Sequence, residues 1–78
     1  MTNTKMLREK IENSGYKLRW LASQCGISYQ ALMNKVNNVS YFRAPEMKVL
    51  TELLHLSPEE ADEIFFADEV DIESTIHA

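Results

Sequence analysis

Cysteine, glycine and proline are scarce in this chain, with one Cys and two each of Gly and Pro among 78 residues. The single Cys25 has no partner for an internal disulfide, and it reads as a small core hydrophobe rather than a reactive thiol. Gly15 and Gly26 stand far apart, so there is no glycine-rich loop to cradle phosphates. His55 and His77 are single, and Cys25 has no neighbouring base. Neither a metal-ligand set nor a nucleophile with its base is present, so no enzyme activity, no metal and no cofactor are expected. No apolar run approaches the roughly 18 residues of a membrane span, and the N-terminal stretch lacks a signal peptide's apolar segment. No membrane association is expected, and the expected location is the cytoplasm.

Basic residues are missing from one part of the chain altogether. Residues 1–48 hold all eight Lys and Arg against Glu9, Glu12 and Glu46, a balance of +5. Residues 49–78 hold nine Asp and Glu and no Lys or Arg, a balance of −9, which together give the net −4. A charge acts only within about 10 Å at 0.1 M salt. The acidic total therefore does not exclude a polyanionic partner for the basic half. The 45% apolar and 26% charged composition is ordinary for one small globular domain.

What is present is helical periodicity. Leu7 and Ile11, four apart among charged neighbours, predict an amphipathic helix from Thr4 to about Asn13, ended by Ser14-Gly15. A second helix is expected from Leu18 to Cys25, with Leu21, Ala22 and Cys25 inward, Tyr16 stapling its start, and Trp20 either a rim residue of the core or a contact for the tail or a partner subunit. A third runs from Tyr29 to Val36, capped by Ser28. Pro45 opens a fourth helix with Met47, Leu50 and Leu54 on its apolar face, and Phe42 before it closes the core. Ser57-Pro58-Glu59-Glu60 combines an N-cap, a first-turn proline and a capping-box Glu, and starts a fifth helix that ends near Phe66. The expected fold class is all-α with five helices, a domain over residues 1–67 and an acidic tail over 68–78.

On a wheel of about 100° per residue, Val36 falls roughly 40° from Leu32, whereas Gln30, Asn34 and Asn37 fall near the opposite side. One face of the third helix is core and the other carries amides. Such a face is either solvated or used for reading bases, since Gln and Asn offer a donor and an acceptor side by side, the pattern that matches adenine in the major groove.

The order Leu21-Ala22, three residues, Gly26-Ile27-Ser28, then Leu32 closely resembles the DNA-binding unit of the lambda-repressor-like family of phage Cro and repressor proteins. The resemblance covers about Thr4 to Phe66. It departs from the family at Leu18, where Gln is usual, and at Lys35, where an apolar residue is preferred.

The resemblance implies a helix-turn-helix at the second and third helices. It also implies a sequence-specific transcriptional regulator acting on a double-stranded DNA operator inside a bacterial host. Base contacts are then expected from Tyr29, Gln30, Met33 and Asn34. Backbone contacts are expected from Lys17, Arg19, Ser28, Lys35, Asn37, Asn38, Ser40 and Arg43. The apolar stripe of the fifth helix either caps the core or is left for a second copy; a homodimer, at least on DNA, would pair through Ile64, Phe65 and Phe66, the largest apolar cluster the motif does not need. The other class left open is a protein-interaction module such as an antitoxin or antirepressor, using the same fold without DNA.

Overall fold

The computed structural model describes residues 1–67, and the acidic tail expected over 68–78 lies outside them. The chain is all-helical, with α1 at Thr4–Ser14, α2 at Leu18–Cys25, α3 at Tyr29–Val36, α4 at Ala44–Leu53 and α5 at Pro58–Phe65. No strand occurs among the described residues.

Each helix begins and ends for a local reason. The Asn3 side chain accepts from the Met6 N–H at 3.1 Å and starts α1. Ser28 accepts from the Ala31 N–H at 3.1 Å and starts α3. In α5 the Ser57 hydroxyl accepts from the Glu60 N–H at 3.1 Å, while the Glu60 carboxylate accepts from the Ser57 N–H at 2.9 Å. That reciprocal pair satisfies two of the N–H groups a helix start leaves orphaned. Between α2 and α3 the chain reverses at Gly26, whose φ of 73° falls in the left-handed region that glycine tolerates best. The Gly26 and Ile27 N–H groups then donate back to the Ser23 and Ala22 carbonyls. Residues 26–28 are the whole connection.

Leu7, Leu21, Leu32, Val36, Leu50 and Ile64 form the fully enclosed centre of the core, with Ile11, Ala22, Phe42, Leu54, Leu56 and Phe65 buried around them. Cys25, expected inside, and Ile27 are half-buried and pack against this cluster. Ala22 is 2% exposed. Helix α2 packs on α3 and α4, and α5 packs on α1 and α4.

The segment before α1 is tied down at both ends of the fold. The Asn3 N–H donates to the Ile64 carbonyl at 2.7 Å, and the Thr4 hydroxyl donates to the Val36 carbonyl at 2.8 Å. Lys10 of α1 is ion-paired with Glu60 of α5. The Ile64 and Phe65 assignment to a dimer surface is corrected here. Ile64 is 0% and Phe65 6% exposed, and the Phe65 ring meets Phe42 edge-on at 5.3 Å. In so small a domain α5 is needed to close the core, so its apolar stripe is spent within one chain. Only Phe66 of that trio, at 36%, is exposed.

Candidate nucleic-acid interface

Leu32 and Val36 anchor α3 in the core, which turns its other side outward. There Tyr29 and Gln30 are exposed, and Met33 and Asn34 are half-buried. The Gln30 amide donates from Nε2 to Asn34 Oδ1 at 3.0 Å. This bond uses one donor of Gln30 and one acceptor of Asn34, so the pair retains amide donors and an acceptor for a further partner. The two residues sit one helical turn apart on the same face.

The start of α2 lies beside the start of α3. The Arg19 guanidinium stands 4.6 Å from the centre of the Tyr29 ring, a cation–π contact that fixes a positive charge next to the amide face. Lys17, just before α2, is exposed. Tyr16 and Trp20 stack with ring centres 4.6 Å apart and planes tilted by 31°. Trp20 is thus no rim residue of the core: it is 41% exposed and Tyr16 38%, a pair resting on each other at the surface.

Below them a groove of about 590 Å³ runs between α1, α2 and α3. Ile11, Leu18 and Val36 contribute apolar surface to it, and Arg8, Lys17 and Arg19 contribute cations, with Glu12 the single carboxylate. Leu18 fills the position where the resembling family carries Gln. It packs against the core and offers no hydrogen bond in that amide's place.

Several residues expected at a DNA backbone have other duties in this fold. Lys35 is turned inward onto Glu46, Nζ to Oε1 at 2.5 Å, with side chains only 11% and 7% exposed. The Glu46 carboxylate also accepts from the Arg43 N–H at 2.9 Å, capping α4. Burial alone would push the Glu46 carboxyl up, but the hydrogen bonds from Lys35 and the Arg43 amide, with both cationic charges, hold it below the ordinary carboxylate range. Nearby, burial pushes the Cys25 thiol up, the Glu46 charge adds to this and Lys35 opposes it. That environment favours the unreactive thiol.

Asn38 adopts a left-handed φ of 64°. Its side chain accepts from the Thr2 N–H at 2.8 Å and donates to the Thr2 carbonyl at 2.9 Å and the Thr4 hydroxyl at 3.1 Å. It is a clamp on the N-terminal segment. Asn37 accepts from the Arg8 guanidinium, and the Ser28 hydroxyl is occupied as a helix cap. Ser40 and Arg43 are exposed in and after the loop that follows α3, as are Val39 and Tyr41 at 72% each.

The structure therefore brings Lys17, Arg19, Tyr29, Gln30 and Asn34 together and turns Lys35 and Asn38 to internal contacts. Sequence reasoning missed Arg8, Glu46 and the Tyr16–Trp20 stack. For Glu46 a local signal existed: it stands three residues after Arg43 at a helix start, the capping-box spacing. Among the described residues no group of His, Cys, Asp and Glu is placed to hold a metal ion. No helix of the described residues is long and apolar enough to cross a membrane. Comparison with protein-family models, with curated proteins and with solved structures finds no match to this chain.

Proposed function

We propose that the chain is a sequence-specific DNA-binding regulator of the lambda-repressor-like, helix-turn-helix kind. In this reading α3 enters the major groove and two copies read a symmetric operator. The observation that carries it is the hydrogen-bonded Gln30–Asn34 pair, exposed opposite Leu32 and flanked by the Arg19–Tyr29 contact. An amide aligned by its neighbour is suited to pair with an adenine edge, and cations beside it are suited to phosphates. The glycine reversal between α2 and α3 and the small buried Ala22 are the further features shared with the resembling family. Half of the carboxylates in the described residues, Glu59, Glu60, Asp62 and Glu63, lie on α5, which packs on α1 and α4, so these four burden this face little.

The test is Gln30→Ala on operator variants drawn from a selection of random DNA. Folding should be unchanged, since Gln30 is exposed. Discrimination at one base pair per half-site should fall by about 1–3 kcal/mol, with non-specific affinity unaltered. A uniform loss over all variants makes Gln30 a positioning residue, and no loss returns it to a solvated face. The exposed Tyr16–Trp20 stack favours a second reading, a protein-interaction module of antitoxin or antirepressor type. DNA affinity that does not change with salt would select it.

A further inference from the structure

We propose that the acidic segment Asp68–Glu73 docks into the groove between α1, α2 and α3 of its own chain and occupies the cations beside α3. The groove offers apolar surface from Ile11, Leu18 and Val36 with Arg8, Lys17 and Arg19 along it. The segment, Asp-Glu-Val-Asp-Ile-Glu, brings four carboxylates and no cation, interleaved with Val70 and Ile72. In an extended backbone successive side chains alternate in direction. Val70 and Ile72 then meet the apolar floor, and Glu69, Asp71 and Glu73 meet the long cationic side chains at the rim.

The point of departure suits this path. The Asn3 N–H bond to the Ile64 carbonyl puts the end of α5 against the start of α1. Arg8 lies about 8 Å further along that helix at roughly 1.5 Å per residue, and the helix is about 10 Å across. Six extended residues span about 20 Å, which is sufficient. A second recess, lined by Lys10, Asn13, Ser14, Tyr16, Leu53, Leu54 and His55, has Lys10 as its one fixed cation, and Glu60 already pairs with it.

Competition with DNA for Lys17 and Arg19 rests on the function proposed above, but the docking itself does not. The experiment compares the full chain with a variant carrying Asp68→Asn, Glu69→Gln, Asp71→Asn and Glu73→Gln. Without DNA, amide NMR shifts should differ between the two at Arg8, Ile11, Leu18, Arg19 and Tyr29, and the difference should fade by about 0.5 M salt as screening shortens. With DNA, the variant should bind about tenfold more tightly at low salt and within about twofold of wild type at 0.5 M.

Unchanged groove shifts overturn the docking, whatever DNA does, because lost acidic charge anywhere on the chain raises DNA affinity somewhat. Shifts at α5 or in the loop after α3 instead of the groove overturn it as well. Groove shifts that grow with protein concentration assign the segment to a second copy and overturn the intramolecular form. Groove shifts with no DNA binding by either chain uphold the docking and refute the function proposed for the face.

Discussion

Removing the Glu46 carboxylate should be among the most damaging single changes on the side of this domain proposed to face DNA, although Glu46 makes no contact proposed for DNA. Glu46 is 5% exposed and Lys35 is nearly enclosed with it. Glu46→Ala leaves an ammonium without its counter-charge and removes the cap on the Arg43 N–H. Breaking one side of a buried ion pair costs about 3–5 kcal/mol. Lys35 has a flexible stem that can carry its charge outward, so the low end applies, about 3 kcal/mol. For a domain of this size that is a fall in Tm of roughly 12–24 °C.

Lys35→Met should cost less, since the carboxylate keeps its amide donor. The double variant should lose less than the sum, with a coupling of about 1–3 kcal/mol. The lowered Glu46 pKa gives the same contact a pH signature. The folded carboxyl sits below its unfolded value, so the contribution is complete above the ordinary carboxylate range and is lost as pH falls through and below it. Chemical denaturation of the four chains at neutral and acid pH measures all of this. A loss below about 1 kcal/mol for Glu46→Ala would show that the pair is solvated and the reasoning wrong. A further consequence separates structure from function: Lys35→Met should leave the salt slope of DNA binding unchanged, whereas a true phosphate contact would lower it by roughly one counterion.

Ala22, 2% exposed where α2 meets α3 and α4, should not accept Leu, and overpacking should cost about 1–3 kcal/mol with a matching drop in thermal stability. An unchanged melting curve would refute that crossing. Asn38→Gly should be milder than Asn38→Ala: both lose the three bonds to Thr2 and Thr4, but only Ala must hold a left-handed φ, which costs roughly 1 kcal/mol. Equal denaturation midpoints would show that the backbone there relaxes. Phe66→Ala should weaken binding to a two-half-site operator with major grooves about 34 Å apart, while single half-site affinity stays as it was. A wild-type footprint of one half-site with one protein per duplex would reject the dimer.

The helices were legible because their signals are local. Asn3, Ser28 and Ser57 cap as their side chains require, Gly15 and Gly26 end helices with positive φ, and Leu7/Ile11 or Leu32/Val36 lie on one face. The site was legible only in part. Gln30 and Asn34 stand out on a wheel, but the engagement of Lys35 by Glu46 and of Asn38 by Thr2 depends on which elements meet in space. The same limit explains Ile64 and Phe65. An apolar stripe shows that a face must be covered, and only packing shows whether the cover is α1 and α4 or another molecule. Trp20 does not enter the core as expected because a large apolar pair can shelter itself by stacking, here on the Tyr16 that precedes α2.

The bond from the Asn3 amide to the Ile64 carbonyl and the Lys10–Glu60 pair join the two ends of the described chain. Helices α2, α3 and α4 pack with near neighbours in sequence, and such contacts form early at small entropic cost. Closing α5 onto α1 spans almost the whole described chain and must wait for the surface it closes on. Contacts made after the rate-limiting step change the rate of unfolding and leave the rate of folding nearly untouched. The α1–α5 seam is therefore expected to open first in the native state, and its strength should set how long the fold lasts rather than how quickly it is reached.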